Sequence, residues 1–146
     1  MHGPLPDLRQ CVSLKEFAWV NSGAGSHSKG VSGETDEMIS LRLSSLRKLE
    51  SLTIFDGSLG VTTFLASLIN LRRLYLCCDF RNFPEGFEKL NKLEEIDIRG
   101  AKSLKALPKY LGHLPALQSL SLMACGVKSL PKSVRERKDL YIYVRH

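Results

Sequence analysis

No apolar run in this 146-residue chain approaches the roughly 20 residues needed to cross a bilayer, so no membrane span is expected. The four histidines, His2, His27, His113 and His146, are too dispersed to form a nucleophile and base constellation that spacing could identify. Cysteine is equally uninformative. Cys11, Cys77, Cys78 and Cys125 are irregularly spaced, which gives no disulfide framework, and a domain of this length needs none. The Cys77-Cys78 pair lacks histidines or a second cysteine pair at ligand spacing, so no zinc site is expected. Gly23 and Gly25 lack the preceding strand and following helix of a phosphate cradle. The segment from Met1 to Asp7 has neither the basic nor the apolar region of a secretory signal, which makes the cytoplasm the expected compartment. With these features absent, no catalytic centre, cofactor or small-molecule substrate is expected within the chain.

What is present is an ordinary soluble composition: 43% hydrophobic and 25% charged residues argue against disorder. One domain of this size buries about 68–70% of its unfolded surface without covalent staples. The net charge of +6 has a local source in Lys132, Arg135, Arg137 and Lys138, interrupted by Glu136 and Asp139. No aromatic platform is interleaved with these cations, so a solvated end face is the main reading. Binding of nucleic acid or anionic lipid is the alternative.

A repeat then organises the sequence. Leu114, Leu117, Leu120 and Leu122 form a skeleton that recurs as Leu90, Leu93, Ile96, Ile98, as Leu68, Leu71, Leu74, Leu76 and as Leu46, Leu49, Leu52, Ile54. A weaker copy is Cys11, Leu14, Phe17, Trp19. The third skeleton position advances by 22, 22 and 24 residues, inside the 20–29 range of leucine-rich repeats. Thirteen positions before it stand Ile39, Val61, Phe83 and Leu107, the last two followed by Pro84 and Pro108. Leu130-Pro131 announces a closing turn with Leu140, Ile142 and Val144. Six strands are expected, near 17–19, 52–54, 74–76, 96–98, 120–122 and 142–144. In each, period-two alternation sends the skeleton inward and its neighbours outward. One unit cannot bury its apolar side alone, but stacked units can. The expected fold is therefore α/β: a leucine-rich-repeat solenoid with a parallel sheet on its concave face and loops with short helical turns on its convex face. Pro84 to Leu90 is expected to form one such turn.

The whole of 1–146 reads as a single domain of about six turns. Between Asn21 and Ile39 the register slips by about 12 residues, and the Gly/Ser-rich stretch predicts an insertion loop over 22–37.

The skeleton followed by a Leu-Pro return, best displayed from Leu104 to Pro131, resembles the intracellular leucine-rich repeats of plants, particularly those of nucleotide-binding disease-resistance proteins. Cys125 stands where such repeats place Cys or Asn, whereas Gly57, Asp79 and Ala101 fill that position in other copies, leaving the polar ladder incomplete. The family's phosphate loop, Gly-x-x-x-x-Gly-Lys-Ser/Thr, is absent here. The resemblance implies a protein-protein recognition module in plant intracellular immunity rather than an enzyme. A substrate-recruiting arm of a larger enzyme is the alternative, its active residues lying outside the chain.

The outward strand positions are the natural binding face. One column reads Ala18, Thr53, Tyr75, Asp97 and Ser121, and the next Val20, Phe55, Cys77, Arg99 and Met123. Phe55, Tyr75 and Met123 beside Arg73, Asp97 and Arg99 match the aromatic, Met and Arg enrichment of interface hot spots. The expected partner is another protein, one bearing acidic patches, and nucleic acid is not the expected main partner. Trp19 is expected inside, and His113 on the convex return.

Overall fold

A computed structural model of the chain describes residues 13–20, 41–58 and 63–146. Its centre is one six-stranded sheet in which β1 (Glu16–Val20), β2 (Ser51–Ser58), β3 (Arg73–Asp79), β4 (Glu95–Arg99), β5 (Ser119–Met123) and β6 (Tyr141–Arg145) lie in chain order, each parallel to the next. Every expected strand falls inside an observed one. Parallel neighbours need crossovers, and their described parts carry short helical turns: α-helical at 41–44 and Lys132–Arg135, and 3-10 at Thr63–Ser67, Phe87–Lys89 and Lys109–His113. The result is an α/β architecture compatible with the expected repeat fold. No helix among the described residues is long and apolar enough to cross a membrane.

The skeleton residues form the core. Leu52, Leu74, Ile96 and Leu120 align across β2 to β5 and each is 0% exposed. Ile54, Leu76, Ile98 and Leu122 form the next buried row, and Leu46, Leu49, Leu68, Leu71, Leu90, Leu93, Leu114 and Leu117 close the core from the returns. The entries to β2, β3, β4 and β5 are each held by one carbonyl of the preceding turn shared between two amides. Lys15 O accepts from Glu50 and Ser51, Glu50 O from Arg72 and Arg73, Arg72 O from Glu94 and Glu95, and Glu94 O from Gln118 and Ser119. This repeated bond locks one turn to the next before any side chain is counted. Two side-chain pairs lie along the same row, Lys15 with Glu50 at 3.3 Å and Arg72 with Glu94 at 2.7 Å.

Three expectations need correction. The helical turn expected over 84–90 contracts to Phe87–Lys89, because Gly86 adopts a left-handed φ of 87° and starts the turn after the proline. Pro108 and Pro131, by contrast, directly precede the turns they introduce. Gly57 does not align with Asp79: a register shift after Phe55 places Ser58 opposite Asp79, so β2 carries one extra residue there. In β6 the inward row is only partly inside, with Leu140 buried, Ile142 half-buried and Val144 39% exposed. Skeleton residues of inner strands are covered from both sides, and no described strand lies beyond β6.

The expected insertion at 22–37 lies outside the described residues, as do Leu5, Pro6, Cys11, Ile39, Val61, His2, His27 and the side chain of Trp19.

Candidate functional site

Alternation leaves one face of the sheet to solvent, and the strand register sorts it into three columns. Glu16, Ser51, Arg73, Glu95, Ser119 and Tyr141 form the first; Ala18, Thr53, Tyr75, Asp97, Ser121 and Tyr143 the second; Phe55, Cys77, Arg99, Met123 and Arg145 the third. The six residues chosen from sequence, Phe55, Arg73, Tyr75, Asp97, Arg99 and Met123, therefore share one face. Their spacing follows from the sheet. Arg99 and Met123 are on adjacent strands, while Phe55 and Met123 are three strands apart, roughly 14 Å.

Exposure divides them. Phe55 is 44% exposed, one of the larger apolar groups open to solvent, whereas Tyr75 and Met123 are half-buried between their neighbours. Such a mixture offers aromatic and thioether surface with little side-chain entropy left to lose.

The charged groups are already organised. Arg99 forms a two-pronged bond with Asp97 two residues earlier, Nη2 to Oδ2 at 2.8 Å and Nε to Oδ1 at 3.1 Å, which raises the guanidinium pKa further above its ordinary value. Arg73 reaches across β2 to Glu16 at 3.1 Å. Partial burial, followed by a hydrogen bond to the Glu95 carboxylate, pushes the Tyr75 hydroxyl above the usual phenol range. Three acids (Glu16, Glu95, Asp97) thus face three bases (Arg73, Arg99, Arg145), so the described part of the face is charge-balanced. A basic excess lies outside this face: residues 128–139 carry five Lys or Arg against two carboxylates.

Sequence reasoning missed Glu16, Glu95, Tyr141, Tyr143 and Arg145 on the same face. Extending the alternation to the first column and to β6 would have found them. Tyr141 and Tyr143 are 66% and 39% exposed and widen the aromatic surface at the β6 side.

The residues at and just beyond the strand ends are structural. The Asp79 carboxylate accepts from the Ser103 amide and hydroxyl, both at 2.7 Å. Burial opposes its ionisation, but these bonds, with the charges of Lys105 and Arg81, leave its pKa below the usual carboxylate range. Cys125 Sγ donates toward the carbonyls of Ile98 and Met123, and burial pushes the thiol pKa up, which makes it a poor nucleophile. His113 lies in an exposed position on a return, as expected. Among the described residues no group of three or more His, Cys, Asp or Glu could hold a metal ion.

No family model matches the chain. Two curated relatives do: it is 32% identical over 104 residues, 68% of its length, to a probable disease resistance protein of Arabidopsis thaliana, and 31% identical over 103 residues, 69% of its length, to a second such protein of the same plant. The chain spans only 8% of the first relative's length and 11% of the second's.

Proposed function

We propose, from this similarity to plant disease resistance proteins, that the chain is a leucine-rich-repeat solenoid serving plant defence in the cytoplasm, and that the open face of its sheet recognises a protein partner. The observation that carries the reading is the register: strands in step bring Phe55, Arg73, Tyr75, Asp97, Arg99 and Met123 onto one face. Main-chain bonds from turn to turn hold these side chains on a preformed frame, so binding orders little. The internal pairs Arg99 with Asp97 and Arg73 with Glu16 pre-position two guanidinium groups for the partner's carboxylates or carbonyls. The reading assigns no catalytic step and no cofactor to the chain.

A partner recovered from plant extract with the wild-type chain as bait supplies the test. Replacing Tyr75 and Arg99 together with Ala should weaken its binding by about 2 kcal/mol or more, roughly thirtyfold, with folding changed by less than about 1 kcal/mol. A control at Lys109 and His113, on the return side, should bind as wild type. Equal affinity for the sheet variant, with loss at the control, would move the site to the returns.

One observation favours a second reading. The six cations of residues 128–146, against two carboxylates, make a local basic excess that could hold nucleic acid or anionic lipid. Affinity falling steeply with added salt, and competition by nucleic acid, would establish it.

A further inference from the structure

The segments joining β3 to β4 and β4 to β5 run side by side away from the sheet face and leave a groove of about 470 Å³ between them. That volume lies within the ~300–1,000 Å³ range of ligand pockets. Phe83, Leu107, Pro108 and Tyr110 wall it, and Glu85 and Glu88 line it as well. The rings are fixed from behind. Phe83 meets buried Phe80 and Phe87 edge-on with centroids 5.6 and 5.0 Å away, and Tyr110 leans on Phe87 at 6.4 Å. Phe83 and Tyr110 stay half-buried, each presenting part of its ring to the groove.

The two carboxylates stand apart from the rest of the chain. Glu16, Glu50, Asp79, Glu94, Glu95, Asp97, Glu136 and Asp139 each have a side-chain partner, from Glu16 with Arg73 through Asp79 with Ser103 and Glu95 with Tyr75 to Asp139 with Arg137. Among the described residues Glu85 and Glu88 have neither an ion pair nor a hydrogen bond from a side chain, although the chain carries 21 Lys and Arg. Arg81, Lys89 and Lys92, the nearest cations in sequence, are exposed and form no ion pair with either. Two uncompensated negative charges beside aromatic and proline walls make a site for an organic cation. Ring faces attract it, carboxylates bond it, and apolar walls accept its carbon chain. A guanidinium fits better than an ammonium because it is planar, weakly hydrated and able to stack.

We propose that this groove binds an arginine side chain of an extended segment of a partner protein, with the guanidinium against Tyr110 and Phe83, bonded to Glu85 and Glu88, and its methylenes along Leu107 and Pro108. Burial, and then the charge of Glu88, push the Tyr110 hydroxyl up to about 12, so the ring stays neutral throughout the physiological range. The inference is independent of the role of the sheet face.

The test is a titration of the full chain with acetyl-Leu-Arg-Leu-amide, followed by amide chemical shifts. Saturable shifts should centre on Glu85, Glu88 and Tyr110. The same peptide with citrulline, a neutral isostere, should bind at least tenfold more weakly, and so should the Arg peptide to the Glu85→Gln, Glu88→Gln double variant. Both substitutions are at exposed positions, and an unchanged thermal midpoint should show that the double variant is folded. Absence of binding, equal affinity for the citrulline peptide, an unaffected double variant, or shifts confined to the strands would each overturn the proposal. Guanidinium chloride binding as tightly as the peptide would overturn the peptide assignment in favour of a free cation.

Discussion

Arg137 donates from Nη2 to the main-chain carbonyl of Leu117 at 2.8 Å, twenty residues earlier and one turn back. Its Nη1 reaches the carbonyls of Gly112 and Leu114 at 3.2 and 3.1 Å, and Asp139 grips the same guanidinium at 2.6 Å. One side chain thus satisfies three carbonyls of the preceding return, which no helix or strand of the last turn could reach. Hydrogen bonds to a charged group are worth about 1.5–3 kcal/mol, and partial exposure of the guanidinium lowers that. Arg137→Ala should therefore destabilise the chain by about 1–3 kcal/mol in urea unfolding. Arg137→Lys should recover only part of the loss, because an ammonium cannot fork across three acceptors.

Leu120 and Val144 occupy similar inward rows but differ in cover, 0% against 39% exposed. Leu120→Ala should cost about 2–5 kcal/mol, and Val144→Ala under about 1. Chemical denaturation measures both. A loss below about 1 kcal/mol at Leu120 would show that the skeleton does not carry the core.

Gly112 permits the closest approach of two returns. A Cβ there would lie 2.3 Å from the carbonyl carbon of Ser133, whose hydroxyl donates to Lys109 O at 2.6 Å. Since main chain cannot yield as a flexible side chain does, Gly112→Ala should force the last helical turn outward and cost about 1–3 kcal/mol. A lowered thermal midpoint, with faster amide exchange across Lys132–Arg135, is the expected result.

Asp79 gives the chain an acid-sensitive bond. Its pKa is depressed in the folded state, so the unfolded chain binds the proton more tightly and the contribution is complete above the unfolded carboxylate value, ~3.9. It disappears as pH falls through the lower, folded value. Asp79→Ala should thus be less stable than wild type by about 1 kcal/mol at neutral pH, with the gap unchanged to about pH 5 and closing below about pH 4. Urea midpoints of both proteins from pH 7 to 2.5 test the sign; a gap that widened in acid would contradict it.

The repeat is legible in the sequence because the Leu skeleton obeys a period of 22 to 24 residues and, within it, a period of two. Those periods determined six strands, their parallel order and the inward rows from Leu52 to Leu122. They also placed Phe55, Arg73, Tyr75, Asp97, Arg99 and Met123 on one face, since alternation is a local property. What periodicity does not encode is contact between groups with no fixed spacing. The extra residue in β2 that moves Ser58 opposite Asp79, the grip of Arg137 on three carbonyls, and the pairing of Arg99 with Asp97 all depend on where stacked turns bring main chain and side chains together. The same holds for Glu85, Glu88 and Tyr110. They lie in two successive returns with no shared motif, and only the stacking of those returns makes one groove of them.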